Sequence, residues 1–472
     1  MLRIALEVGM LKMSTMRWMP AVSCVLVWLG MAMISQVQAQ TVDLLSATHC
    51  RSGSFELIAR NTDAAHDGLM MTRGLSADPN RNTSDAIAQL SALSMELSAK
   101  LLIFTREADM VCGYLLNFSG QTPVVEARYS IGTKSELVRL TSESRFAFGI
   151  HQAQAVRAPQ RMRGARAIWQ QETVVDVSEK AFRELGLRLF PAHVTSLMPK
   201  QGNLMLLPTG IVATLPFAAL IPEKAIDPIS EHVALSILPA LSGVRAGRQA
   251  GNTSDRSPMV WTGPGRSQDR ALVLGNPELS LHSEWSFLPL PGAEAEARSV
   301  AAVLPGWAYF GREATAQQFF AHADEADLIY LATHAVSSES DALDGSFVAL
   351  SDRLVTPREI QRGKFRASLA VLSACQTGLG APHDGGTIGL ARAFNLAGVP
   401  AVIMSLWNVD DEATKALMAA FMRYLETRPP QEALSLAMRE RRKVDPNPAR
   451  WASFMYFGFP MVGRHDGGVR VK

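Results

Sequence analysis

Two residues of reactive type each end an apolar run: His334 closes "DLIYLATHA", and Cys375 closes "SLAVLSACQTG". Both runs are short, continuous and rich in Leu, Ile, Val and Ala, and both stop at a small-residue turn, which is the pattern of fully buried strands. If the two strands are parallel neighbours, His334 and Cys375 come side by side at the carboxyl edge of one sheet, where open α/β sheets carry their chemistry. A thiol is a poor nucleophile until its proton is removed, and an imidazole within hydrogen-bond reach removes it at neutral pH. This placement predicts a cysteine–histidine dyad. On residue identity alone a buried structural cysteine beside an incidental histidine fits as well; the strand context decides for the dyad.

The elements that must position this pair follow from the pattern after residue 270. Strand "ALVLGN", helices "GAEAEARSVAAVL" and "TAQQFFAHA", strands "LIYLAT" and "LAVLSA", helix "GLARAFNLAG", strand "AVIMSL" and helices "DDEATKALMAAFMRYLE" and "QEALSLAMRERRK" alternate, and the strands are apolar throughout. Such strands, interleaved with helices, predict an α/β fold: a parallel sheet with helices on both faces. Upstream, "SDAIAQLSALSMELSAK" reads as a capped helix, and "LLIFT", "CGYLLNF", "VVEARYS" and "NLMLLPTG" as strands around a helix at "SEKAFRELGLRLF". The segmentation is 1–39 as a leader, 40–94 mixed or helical, 95–246 as a first α/β half, 247–270 as a Gly-, Ser- and Arg-rich linker, 271–463 as a second α/β half, and 464–472 as a tail. No helical-solenoid repeat is present.

Composition limits the function classes. The chain has 472 residues, 47% hydrophobic and 19% charged, with a formal net charge of +2, the profile of an ordinary globular protein of about two to three domains. The one long apolar stretch, "MPAVSCVLVWLGMAMI", follows Arg17 and precedes small residues Val37 and Ala39, the layout of a cleaved bacterial-type signal peptide with Met13 or Met16 as a plausible start. A retained anchor is the alternative, although about sixteen apolar residues are short for a span. The expected location is periplasmic or secreted, with no stable membrane span after cleavage. Loss of 1–39 removes three basic residues and one acid, leaving no net charge, and the runs Arg157–Arg166 and Arg245–Arg270 have no basic domain around them, so nucleic acid is not an expected partner. The exported chain keeps Cys50, Cys112 and Cys375. In an oxidising compartment an odd thiol is left over, so Cys50 pairing with Cys112 leaves Cys375 free, while Cys112 is equally readable as a small core residue.

The second half resembles the CHAT domain, the caspase- and separase-related family of clan CD cysteine peptidases. The resemblance lies in "ALVLGNP", "LPLPGAEAEARSVAAVLPG", "LIYLATHA", "VLSACQTGLG", "GLARAFNLAGVPAVIMSLWNVDDEATKALM" and "WASFMYFGFP", with "NLMLLPTGIVATLPFAALI" and "LSILPALSGV" matching the family's upstream portion. It covers about residues 95–460, and the ordered set of motifs is specific where a lone "SAC" is not. The resemblance implies a caspase-like sheet whose first half is inactive and whose second half is catalytic, with His334 as general base and Cys375 as nucleophile. The backbone N–H groups of Cys375 and Ala335 are then the natural oxyanion donors, because strand-end turns leave amides unpaired. In related separases an acid in the "W…D" loop receives a basic side chain. Asp411 matches it best and Asp410 next, which implies cleavage after Arg or Lys; the competing reading is that either residue caps the helix "DEATKALMAAF".

One departure stands out. Where many family members carry an acid between two glycines ahead of "GLARAF", this chain has "HDGGTIGL", placing Gly385 at that position, with Asp384 as a substitute and His383 as a neighbouring loop histidine. The expected activity is that of a cysteine endopeptidase acting on a protein or peptide, without metal or organic cofactor. The rival is a latent or non-catalytic caspase-like module gated by a partner protein. A thiol redox or zinc site is unsupported, since Cys375 has no second cysteine or histidine pair at ligand spacing, and GxSxG and Walker patterns are absent. The basic loop around residues 245–270 is a candidate for self-processing.

Overall fold

The computed structural model describes residues 50, 58, 83–118, 123–147, 175–208, 210–239, 259–263, 270–279, 285, 287, 290–338, 341–374, 381–383, 386–407 and 411–463. The chain divides into Met1–Arg51 and Ser52–Lys472. In the first unit Cys50 is buried and disulfide-bonded. The leader foreseen at 1–39 lies outside the described residues, as do Arg157–Arg166 and, apart from 259–263 and Arg270, the linker foreseen at 247–270.

In the second unit one 11-stranded sheet runs through both α/β halves. The first half opens with helix α1 (Thr83–Leu97) and the antiparallel meander β1 (Lys100–Glu107), β2 (Met110–Asn117) and β3 (Val124–Thr133). Helices α2 (Lys134–Ala147) and α3 (Val175–Leu189) pack together, and β4 (Asn203–Leu207) and β5 (Ala234–Ile237) add to β1 in parallel. Cys112, on β2, is buried and disulfide-bonded.

The second half supplies β6 (Ala271–Pro277), helix α4 (Pro291–Val303), β7 (Gly306–Gly311), β8 (Leu328–Thr333), β9 (Leu369–Ala374), helix α5 (Leu390–Leu396), β10 (Ala401–Ser405), helices α6 (Asp411–Leu425) and α7 (Pro430–Val444), and β11 (Phe454–Gly458). The order across the sheet is β3-β2-β1-β4-β5-β11-β10-β9-β8-β6-β7. Every residue of β8, β9 and β10 is buried, which explains why these strands read as unbroken apolar runs rather than alternating ones. The α/β class and its mostly parallel sheet, flanked by helices, are as expected from the sequence.

The structure adds two features. The closing motif "WASFMYFGFP" supplies β11, antiparallel to β10 and parallel to β5, so it joins the halves edge to edge. The core is correspondingly one cluster, reaching from Leu102 and Leu204 in the first half to Leu372 and Tyr456 in the second. Across the same seam Arg442 of α7 pairs with Asp227 and Glu231, both at 2.9 Å, and the Arg439 guanidinium donates to the Ser230 carbonyl at 2.6 Å. The second unlooked-for strand is β7. It stands last in the sheet, with no residue fully buried, and its aromatic residues between two glycines, in place of a Leu/Ile/Val run, hid it from a search for apolar runs.

Helix α4 owes its place to small residues. Pro291 occupies its first turn, where the missing N–H costs nothing, and Ala293, Ala297 and Val300 bury one face at helical spacing. A Cβ on Gly275 of β6 would stand 2.4 Å from the Ala297 methyl, so only glycine lets the helix approach this strand. Leu372 is fully buried on β9, within the core shared by both halves. Leu372→Ala is expected to lower unfolding free energy by about 2–5 kcal/mol. Hydrogen exchange measured in the variant is expected to rise in β4 as well as β9, because both strands belong to one core.

Candidate active site

Strands β8 and β9 are parallel neighbours, paired from Leu328 with Leu369 to Thr333 with Ala374. The residues that follow these last partners in sequence are His334 and Cys375. His334 is half-buried; Cys375 lies outside the described residues, as do Asp410, Asp384 and Gly385. His383 falls in a short hairpin, Ala381–His383 against Gly386–Ile388.

Both strand ends are held by hydroxyls that apolar patterning passes over. The Thr333 Oγ1 donates to the Ala349 carbonyl at 2.7 Å, and the Ala349 N–H donates to the His334 carbonyl at 2.9 Å. Ala335, the expected oxyanion donor on this side, is buried and pairs with Val348 in a short antiparallel ladder. The buried Ser405 hydroxyl of β10 donates to the Ala374 carbonyl, immediately ahead of Cys375. In sequence, the only sign of these roles is a Ser or Thr at the last position of an otherwise apolar strand. An aromatic wall flanks the imidazole: the Phe287 ring lies 5.1 Å from that of His334, and Trp285 packs edge-on against Phe347 at 5.0 Å.

Asp411 begins α6, but its carboxylate serves a different helix. Its oxygens accept the N–H groups of Gly292 at 2.6 Å and Ala293 at 3.1 Å, in the first turn of α4. A Cβ on Gly292 would meet this carboxylate at about 2.5 Å, so glycine is required for the cap to form. Between the strand ends and this cap lies a half-open pocket lined by Ala293, Thr333, Ser373, Ser405, Trp407 and Asp411, among others. Its free space of about 40 Å³ holds about three waters. Among the described residues, no three His, Cys, Asp or Glu side chains are grouped to hold a metal ion.

The CHAT domain family model matches residues 179–459, more than half of the chain. The chain belongs to the CHAT domain family. Curated relatives include the human and mouse proteins named tetratricopeptide repeat protein 28, 26% and 24% identical over 308 residues; the match covers 56% of this chain but only 12% of each relative. Among solved structures, the Saccharomyces cerevisiae separase–securin complex aligns over 80% of this chain and 31% of that one, at 11% identity and a TM-score of 0.47. The Arg-specific cysteine proteinase gingipain R of Porphyromonas gingivalis aligns over 61% of this chain and 68% of its own, at 10% identity and a TM-score of 0.37.

The CHAT domain also buries a carboxyl that sequence reading passed over. Glu296 of α4 is 4% exposed, and one of its oxygens accepts the Tyr330 hydroxyl at 2.7 Å. The Ser373 hydroxyl is its other hydrogen-bonding neighbour, at a geometry looser than an ordinary hydrogen bond. Burial dominates and raises the Glu296 pKa to about 7; the Ser373 and Tyr330 hydroxyls act in the lowering direction, and the Asp411 charge adds to the rise. The only available signal was a glutamate between Ala293 and Ala297 on the buried face of an amphipathic helix.

Two expectations follow. Asp411→Ala removes two charge-assisted caps from α4 and is expected to cost about 1–2 kcal/mol in urea unfolding. For Glu296, the folded chain holds a proton that the unfolded chain releases, between the ordinary value of 4.5 and about 7, so stability falls as pH rises through this window. The fall is on the order of 3 kcal/mol, and Glu296→Gln is expected to abolish it in unfolding curves measured from pH 4.5 to 8.

Proposed function

We propose that this CHAT protein is an exported cysteine endopeptidase that uses His334 and Cys375 and cleaves after Arg or Lys. The observation that carries the reading is the register of β8 with β9, in which the residue before the histidine pairs with the residue before the cysteine. In the reaction, the Cys375 thiolate attacks the scissile carbonyl carbon while His334 holds the proton. The C–N bond then breaks, the departing amine takes that proton from the imidazolium, and a thioester remains. Water, deprotonated by His334, adds to the thioester; the acid product leaves and the thiol is restored. The N–H groups of Cys375 and Ala335 are the proposed donors to the oxyanion.

Specificity for a basic residue is supported by Asp411 in the wall of the pocket beside the two strand ends. Asp410 is the proposed second acid of that loop. Export is supported by the signal-like leader and by the disulfide-bonded state of Cys50 and Cys112. Among the described residues no helix is long and apolar enough to cross a membrane. Self-processing within the Arg-bearing loop remains part of the proposal; Arg270, its last residue, pairs with Glu325 at 3.4 Å and lies over the Trp307 ring.

A second reading is a caspase-like module that binds a partner, its dyad latent or unused. It is favoured by the match of this region to a small part of two much longer proteins named for tetratricopeptide repeats. The deciding test is intact-mass labelling with an Arg-directed acyloxymethyl ketone peptide under reducing conditions. One adduct on the wild type, lost in Cys375→Ala and in His334→Ala, is expected for the peptidase, because dyad members act as a unit. No adduct on wild type favours the partner-gated module.

A further inference from the structure

His334 stands where β8 leaves the sheet, and one short strand holds the backbone around it. The strand Phe347–Ala349 pairs with Ala335–Val336, the two residues after the histidine. The Ala349 N–H donates to the His334 carbonyl at 2.9 Å, and the Ala349 carbonyl accepts the Thr333 hydroxyl at 2.7 Å. The chain is therefore pinned on either side of the imidazole. These bonds do not fix the side-chain torsions of His334, and a general base needs its ring oriented by a third group.

An aromatic ring is in place to do this. Phe287, from the segment between β6 and α4, lies with its ring 5.1 Å from the imidazole, the two planes at 33°. Phe287 is itself wedged: the Phe347 ring meets it edge-on at 6.4 Å, and the Trp285 ring runs nearly parallel to it, also at 6.4 Å. Trp285 closes the triangle against Phe347 at 5.0 Å. Phe347 is buried, so the strand that pins the backbone of His334 also anchors the wall beside its ring. The face of an aromatic ring is electronegative and attracts a cation within about 6 Å of its centroid. A neutral imidazole gains less from the same contact than the imidazolium that forms when Cys375 gives up its proton.

We propose that Phe287 is a positioning residue for His334: its ring fixes the orientation of the imidazole and favours the imidazolium, and so favours transfer of the Cys375 proton to His334. The proposal rests on the dyad reading above. The proton leaves Sγ as the thiolate forms and stays on the imidazole, so the pair as a whole gains no charge. Trp285 and Phe347 act through Phe287, by keeping its ring from turning away. Neither they nor Thr333 and Ala349 titrate near neutral pH, so of the groups named around the imidazole only Cys375 exchanges a proton with it. Packing alone is the competing account. It asks only for apolar volume, which leucine supplies, whereas stabilising a cation asks for a ring.

The test is the rate at which iodoacetamide alkylates Cys375 in the full chain at about pH 6, read from the mass of the peptide that carries it. An ordinary thiol is almost wholly protonated there and reacts slowly, whereas a thiolate paired with imidazolium reacts fast. Iodoacetamide is uncharged and needs no specificity pocket, and Cys50 and Cys112 are disulfide-bonded and do not compete. The wild type is expected to react faster than His334→Ala. Phe287→Leu is expected to be about fivefold slower than the wild type, and Phe287→Tyr, which keeps the ring, to match it. A Phe287→Leu protein that unfolds at lower temperature but reacts at the wild-type rate has lost packing only and overturns the proposal, as does Phe287→Tyr reacting as slowly as Phe287→Leu; in both cases the dyad stands. A wild type no faster than His334→Ala removes the dyad and this inference with it. Ring-dependent alkylation in a chain that cleaves no peptide sinks the peptidase reading and leaves the positioning role of Phe287 standing.

Discussion

The parallel pairing of β8 with β9 is the constraint on which the candidate site depends. Hydrogen bonds in a parallel ladder fix register residue by residue, and a slip by one would turn every side chain to the opposite face. Because both strands are buried on both faces, such a slip has no solvent-facing alternative to settle into. The ladder from Leu328–Leu369 to Thr333–Ala374 therefore determines where the chain leaves the sheet before His334 and before Cys375. Thr333 and Ser405 then hold the exits by donating to the carbonyls of Ala349 and Ala374. A hydroxyl at these points costs little core packing and satisfies a carbonyl where the ladder ends.

Around that ladder, α4 and α6 are tied together by one carboxylate. Asp411 reaches from the start of α6 to the start of α4, and Gly292 leaves the space for it. The cap thereby couples the helix that carries Glu296 to the loop that carries Trp407, whose indole N–H donates to the Ala449 carbonyl at 3.1 Å. The same carboxylate thus serves as helix cap and as pocket wall.

The two halves are coupled by the same logic at larger scale. Strand β11 is the last strand in the sequence yet stands mid-sheet, between β10 of the second half and β5 of the first. The core is continuous across it, and the α7 arginines fasten the rim. A disturbance in the first half therefore reaches β10, and through Ser405 the end of β9, along hydrogen-bonded neighbours. Family membership fits this arrangement, since the matched region begins in α3 and ends only after β11.

Much of this was legible in the chain. The runs "LIYLAT", "LAVLSA" and "AVIMSL" could form only buried strands, because continuous apolar character between small-residue turns leaves them no solvated face. The helices of the second half were equally plain from their 3.6-residue periodicity. Strand β7 and the junction strand β5 were harder to read, one being a glycine-flanked aromatic edge and the other four residues long. What the sequence by itself determined is local: which segments are strands and helices, and that a histidine and a cysteine each follow a buried strand. What only the tertiary structure decided is pairing across distance: that β11 joins the halves, that Asp411 caps α4, and that Glu296 is buried against the Tyr330 hydroxyl. Local propensity depends on neighbours a few residues apart, whereas these contacts join residues as far apart as Gly292 and Asp411, and no periodicity within a segment records what the opposite segment brings.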